Sequence, residues 1–131
     1  MKKILVVVDM QNAFIDGALG TPEAVAIVPH VREKIESFDG KVFFTRDTHF
    51  ENYMSTEEGR NLPVPHCIKD TDGWQIRAEL DALRTTEAID KLTFGSRELV
   101  NVLAAEDGGN ARRVVRAEQI HERIGNAPRI G

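Results

Sequence analysis

Ile4-Leu5-Val6-Val7-Val8-Asp9 is the stretch that decides the fold. Its apolar, mostly β-branched residues run without a polar break and stop on a carboxylate. Met10-Gln11-Asn12 and the turn-rich Asp16-Gly17-Ala18-Leu19-Gly20 follow. A continuous apolar run of this length reads as a strand covered on both faces, as in parallel sheets, rather than a half-solvated one. In open α/β sheets ligands bind beyond the carboxyl ends of such strands, which puts Asp9 at the mouth of a site. On position alone, Asp9 serves equally well as a cap for the loop after it.

Working outward, Thr21-Pro22-Glu23 is a helix start, a capping hydroxyl followed by proline at the first helical position. Pro29 either kinks that helix or begins a second one, whose Val31, Ile35 and Phe38 share a face. After Asp39-Gly40, the run Lys41-Val42-Phe43-Phe44-Thr45-Arg46-Asp47 is a second strand ending on aspartate. Strand, helix and strand with a short return make a right-handed βαβ unit, with Asp9 and Asp47 on one sheet edge.

Residues 48–73 form a long polar loop containing Pro63 and Pro65, and loops of this length inside a compact domain are usually functional. Asp72 is the predicted cap of a helix over residues 75–83, with Ile76, Leu80 and Leu83 inward and Trp74 at its start. Ala88-Ile89-Asp90 is a short strand. Lys91-Leu92-Thr93-Phe94-Gly95 leads to a helix capped by Ser96, with Leu99, Val102 and Leu103 buried. From Asp107 the alternation stops. Val114, Val115, Ile120 and Ile124 suggest one weak amphipathic helix over about residues 112–123, and no further apolar strand is visible. Three strands make a thin sheet.

The 131 residues, 41% hydrophobic, suit one globular domain. Residues 1–107 carry twelve Lys and Arg against nineteen Asp and Glu, whereas residues 108–131 carry five arginines against two glutamates. An acidic body excludes a nucleic-acid-binding one, and the basic 108–131 segment reads as an atypical tail, disordered or a single helix. Met1-Lys2-Lys3 and the apolar run imitate a signal peptide, but Asp9 and Gln11 interrupt it and no small-residue cleavage site follows. Neither membrane insertion nor export is expected. The single cysteine, Cys67, excludes an internal disulfide and fits a cytoplasmic protein.

Asp47-Thr48-His49 puts a carboxylate and an imidazole two residues apart at a strand end, and His66 follows in the same loop. Two imidazoles with one or two oxygens suit a Zn²⁺, Fe²⁺ or Mn²⁺ site, Glu57 or Glu58 adding an oxygen; the alternative is a solvated polar loop. Cys67 beside His66 invites a nucleophile reading. Adjacent residues of an extended chain point opposite ways, however, so a packed, inert thiol is the better account. Lys91 either reaches the edge that carries Asp9 or is a surface lysine. His30 and His121 receive no role. A haloacid-dehalogenase-type phosphatase needs a second aspartate two residues after the first, where Gln11 stands, and no glycine-rich phosphate loop follows either strand.

Four segments together resemble the isochorismatase-like cysteine hydrolases, and within them the nicotinamidase/pyrazinamidase branch. They are Val8-Asp9-Met10-Gln11-Asn12-Ala13-Phe14, Phe44-Thr45-Arg46-Asp47-Thr48-His49, Pro65-His66-Cys67-Ile68-Lys69-Asp70-Thr71-Asp72-Gly73-Trp74 and Asp90-Lys91-Leu92-Thr93-Phe94-Gly95-Ser96. The resemblance covers residues 1 to about 106. It implies a three-layer α/β/α, Rossmann-like parallel sheet, here incomplete at the C-terminus. It further implies Asp9 as general base, Lys91 as the cation that positions Asp9, and a cysteine nucleophile from a later helix start. Asp47, His49 and His66 match the metal ligands, with Glu58 as a further oxygen, around an ion expected to be Zn²⁺ or else Fe or Mn. Phe14 matches a pocket wall, and the implied reaction takes a small carboxamide to its acid and ammonia.

Two departures shape the expectation. The nucleophile belongs well downstream of Lys91, after another apolar strand, yet no cysteine follows Cys67. With the change of composition at Asp107, this suggests that residues 108–131 replace the usual C-terminal part, through a frameshift or an aberrant end. The chain alone would then be inactive, and the first strand would keep an unpaired edge open to self-association or a homo-oligomer. Secondly, Pro63 stands three residues before His66, where nicotinamide-cleaving relatives often have tryptophan. The competing expectations are another hydrolase of the same family and a non-catalytic metal-binding or interaction remnant.

Overall fold

The computed structural model describes residues 3–92, 100, 101, 103, 104 and 113–116. β1 (Lys3–Val8) and β2 (Lys41–Asp47) are the two expected strands, parallel, with Ile4 opposite Lys41 and Val8 opposite Thr45. Between them lie a single turn, α1 (Asn12–Ile15), and the crossover helix α2 (Pro22–Ser37). Thr21 Oγ1 accepts from the Ala24 amide at 3.1 Å, and Pro22 opens the helix where its missing N–H has no partner to lose. Pro29 lies inside α2 without ending it, so no second helix begins there. Val28, Val31 and Ile35 pack in one core with Leu5, Val7 and Phe44, which holds the turns on both sides of the proline to the same sheet face.

Alternation along the strands divides the sheet into two faces. Leu5, Val7 and Phe44 meet α2 on one. Ile4, Val6, Val8, Phe43 and Ile89 cluster on the other, where Leu103 packs against them. Ser96, Leu99 and Val102 of the expected helix lie outside the described residues, as do Ile120 and Ile124. β3 (Ile89–Lys91) falls one residue later than the sequence suggested and pairs in parallel with β2, setting Thr45 against Ile89 and Asp47 against Lys91. That one-residue shift brings Lys91 into the sheet.

Two expectations are corrected. The helix over residues 75–83 is reduced to a 3₁₀ turn at Asp72–Trp74 and a short α-helix at Ala78–Asp81. Ile76 bridges to Gln11 and the Arg77 amide donates to the Met10 carbonyl at 2.9 Å, so extended pairing claims these residues before a helix can start. Ile76 and Leu80 are buried as expected. The second correction concerns the tail: Arg113–Arg116 is a strand, not part of a helix, and it lies parallel to β1 with Lys3 opposite Arg113 and Val6 opposite Arg116. The sheet therefore has four strands among the described residues, in the order β3, β2, β1 and then Arg113–Arg116 as β4. The unpaired β1 edge proposed as a self-association surface is covered along residues 3–6. Open backbone N–H and C=O groups at that edge favour an added strand, and the Val114-Val115 pair has the β-branched shape for it.

The loop over residues 48–73 is partly ordered by short elements, a 3₁₀ turn at Tyr53–Ser55 and α3 (Glu57–Asn61), with the Ala78–Asp81 helix as α4. A parallel bridge joins His49 to Ile68. No helix among the described residues is long and apolar enough to cross a membrane.

Candidate active site and metal centre

Asp9 ends β1 with φ of 54°, a left-handed conformation that turns the chain out of the sheet and leaves its side chain at the carboxyl edge. Its amide still donates to the Thr45 carbonyl at 3.1 Å. The Thr45 hydroxyl donates to Asp9 Oδ1 at 2.7 Å, and Lys91 Nζ pairs with Oδ2 at 2.8 Å. Asp9 is 4% exposed, so this is a buried ion pair rather than a solvated one. Thr45, Asp47 and Lys91 continue the Phe43 and Ile89 face to the same edge.

Beside the pair, Asp47, His49, Glu58 and His66 bring four ligand atoms within 4.8 Å of one another. His49 Nε2 lies 3.0 Å from Asp47 Oδ2 and 3.4 Å from Glu58 Oε2, and His66 Nε2 lies 3.6 Å from Asp47 Oδ2. Bonds of the length Zn²⁺ makes to N and O hold tetrahedral donor atoms about 3.4 Å apart, close to the three separations that link Asp47 to each histidine and His49 to Glu58, so small side-chain adjustments would bring the group around a divalent ion. Both histidines are buried, whereas the Glu58 side chain is 51% exposed. The His66 Nδ1–H donates to the Val64 carbonyl at 2.7 Å, which leaves Nε2 facing the cluster as a metal-binding tautomer requires.

The electrostatics agree with that geometry. Burial alone would raise the Asp47 pKa, but hydrogen bonds and charge from His49 and His66 outweigh it and hold the carboxyl well below the usual carboxylate range. Burial pushes His49 down, while Asp47, Glu58 and Asp9 pull it up further, for a net rise. Tyr53 is pushed up to about 12 by burial and by the Glu58 and Asp47 charges, so it is a neutral phenol. Its hydroxyl donates to the Leu62 carbonyl at 2.7 Å, and its ring meets His49 and His66 edge-on at 4.8 and 5.3 Å between centroids. Phe14 meets His66 in the same way at 5.5 Å.

All the residues singled out in the sequence, Asp9, Lys91, Phe14, Asp47, His49, Glu58 and His66, thus converge on one sheet edge. Cys67 does not join them. It is 1% exposed, packed with Ala13, Phe14 and Trp74, and its thiol lies 4.0 Å from the Gly73 carbonyl. Burial, with the Asp47 and Asp9 charges, pushes that thiol far above the ordinary range, so it is not a thiolate at neutral pH. Sequence reasoning missed Thr45, Tyr53 and Gln11. Gln11 is fully buried; an amide in an otherwise apolar setting two residues after the strand-end aspartate was the available signal.

A parallel α/β sheet carries a buried carboxylate–lysine pair and a histidine–carboxylate group, a candidate metal site, at its carboxyl edge. The isochorismatase domain family model matches residues 3–112, and the chain belongs to that family of hydrolases. No curated protein sequence matches the chain. Among solved structures it is similar to a pyrazinamidase of Pyrococcus horikoshii in complex with zinc, at 32% identity and TM-score 0.65, over 88% of this chain and 69% of that one. An N-carbamoylsarcosine amidase from Thermoplasma acidophilum is similar at 27% identity and TM-score 0.68, over 88% and 68%. A nicotinamidase/pyrazinamidase from Bacillus subtilis is similar at 25% identity and TM-score 0.67, over 89% and 70%.

Proposed function

We propose that this chain carries the general base and the metal-assisted binding site of a nicotinamidase-type amidohydrolase, which converts a small carboxamide to its acid and ammonia. The observation that carries the reading is the buried Lys91–Asp9–Thr45 arrangement standing beside the Asp47, His49, Glu58 and His66 group at one edge. A divalent ion bound there would supply a Lewis-acid anchor for a ring nitrogen or carbonyl oxygen of the substrate. Phe14, packed on His66, would wall the substrate pocket in this reading.

In this reading Asp9 takes the proton of a cysteine thiol, and the thiolate attacks the amide carbon. Lys91, 2.8 Å from Asp9 Oδ2, holds that carboxyl in position and places positive charge beside the reacting centre. As the C–N bond breaks, the proton on Asp9 passes to the leaving nitrogen, and ammonia departs; water then cleaves the thioester and restores the thiol. Cys67 is buried and protonated, so it does not supply the nucleophile. The 131 residues hold no other cysteine. In this reading the 131 residues by themselves lack the nucleophile and release no ammonia.

Ammonia release from nicotinamide, measured for this chain and for a version continued with a cysteine-bearing strand–helix segment, tests the reading. Release is expected only from the continued chain, and it should disappear on Asp9→Asn. Turnover by the short chain that is lost on Cys67→Ala would overturn it. Pro63 favours a second reading, a related amidase with a different small amide, because the position flanking the site lacks an aromatic side chain. A panel including pyrazinamide and N-carbamoyl amino acids separates the two.

A further inference from the structure

Where β1 leaves the sheet at Asp9, the next rung of the β1–β2 ladder has no backbone partner from β1. The Gln11 side chain takes that place. The Asp47 amide donates to Gln11 Oε1 at 2.8 Å, and Gln11 Nε2 donates to the Asp47 carbonyl at 2.9 Å. The same Nε2 donates to the Trp74 carbonyl at 2.8 Å. A primary amide is the side chain that presents one acceptor and two donors in the geometry of a peptide group, and Gln11 uses all three contacts while fully buried.

The neighbours of Asp47 are held by the same assembly. Trp74 Nε1 donates to Thr48 Oγ1 at 3.0 Å, and the Arg46 guanidinium lies 3.9 Å over the Trp74 ring while its Nε donates to Asp90 at 2.7 Å. The Thr48 amide donates to the Lys91 carbonyl at 2.9 Å. Residues 46–48 are thus gripped on each side, and Gln11 alone fixes both backbone groups of the central residue.

We infer that Gln11 is a positioning residue of the metal centre: it acts as a surrogate peptide that fixes the backbone of Asp47, and so aims Oδ2 at His49 and His66. This rests on Asp47, His49 and His66 being a metal site, as proposed above. It assigns no chemistry to Gln11 itself.

Titration of the full chain with Zn²⁺ alone, by calorimetry, tests this, with circular dichroism to establish folding. Gln11→Met keeps the volume and removes every polar contact. It is expected to weaken Zn²⁺ binding by about 10–100-fold, the usual cost of losing a partner that orients a metal ligand. Ile35→Val, a core change on the α2 face, is expected to lower the melting temperature and leave the Zn²⁺ affinity as it is. Equal affinity of the folded Gln11→Met variant and the parent would overturn the role of Gln11. Absence of Zn²⁺ binding by the parent would instead overturn the metal-site reading beneath it. Hydrogen exchange of the metal-free parent needs no variant: the Asp47 amide should be protected like that of Phe44 inside β2. Exchange at the rate of an open loop would refute the clamp in solution.

Discussion

The Asp47 carboxylate and the two imidazoles facing it govern how this site responds to substitution and to protons. His66→Ala removes a buried imidazole of the proposed metal site and is expected to weaken Zn²⁺ binding by more than the roughly 100-fold upper range of an outer partner. Glu58→Ala, at a half-exposed side chain, should cost less, and calorimetry ranks the two. His49 has a folded-state pKa above its unfolded value of about 6.5. Its pairing with Asp47 therefore stabilises the metal-free chain fully below about pH 6.5, and that stabilisation is lost as pH rises through the raised value. Melting temperature without metal should fall as pH rises above about 6.5. Zn²⁺ affinity should move the other way, since proton and metal compete for the same Nε2. Lys91→Ala removes the buried cation from Asp9 and is expected to destabilise the chain by about 3–5 kcal/mol, measurable by urea unfolding. The spacing Asp47-Thr48-His49 and the later His66 were legible in the sequence. The partners that aim them, Gln11, Tyr53 and the Val64 carbonyl, were not, because contacts across tens of residues leave no local periodicity.

At the scale of elements, α3 and the 3₁₀ turn before it deliver Glu58 to the cluster. Thr56 caps α3 by accepting from the Gly59 amide at 3.0 Å. A Cβ on Gly59 would run into the Tyr53 carbonyl oxygen, so this close approach demands glycine. Gly59→Ala should push Tyr53 and Glu58 away from the histidines together, lowering Zn²⁺ affinity and Tyr53 burial, the latter read by tyrosine fluorescence quenching. Thr56→Ala should cost about 1 kcal/mol through the lost cap, with a smaller effect on the metal. The β1, α2 and β2 unit was readable because apolar runs and the Thr21-Pro22 start are local signals that tertiary contacts reinforce. The helix expected over residues 75–83 was not formed as read, since Gln11 and Met10 recruit Ile76 and Arg77 into extended pairing.

For the whole molecule, the sheet order β3-β2-β1-β4 places β1 between two partners. Deleting residues 108–131 would strip the strand that pairs with residues 3–6, and light scattering should then show more association than for residues 1–131. Sequence by itself determined the parallel α/β core, the family, and the identity of the residues at the carboxyl edge, because strand ends and strand-end carboxylates are written in the local order of apolar and polar side chains. Only the tertiary structure decided that Arg113–Arg116 joins the sheet, that Cys67 is buried against Ala13, Phe14 and Trp74, and that Asp9 meets Lys91. A strand partner, a burial and an ion pair each depend on which distant backbone or side chain is nearby. The opening run of apolar residues specifies that it will be buried, and leaves open what will bury it.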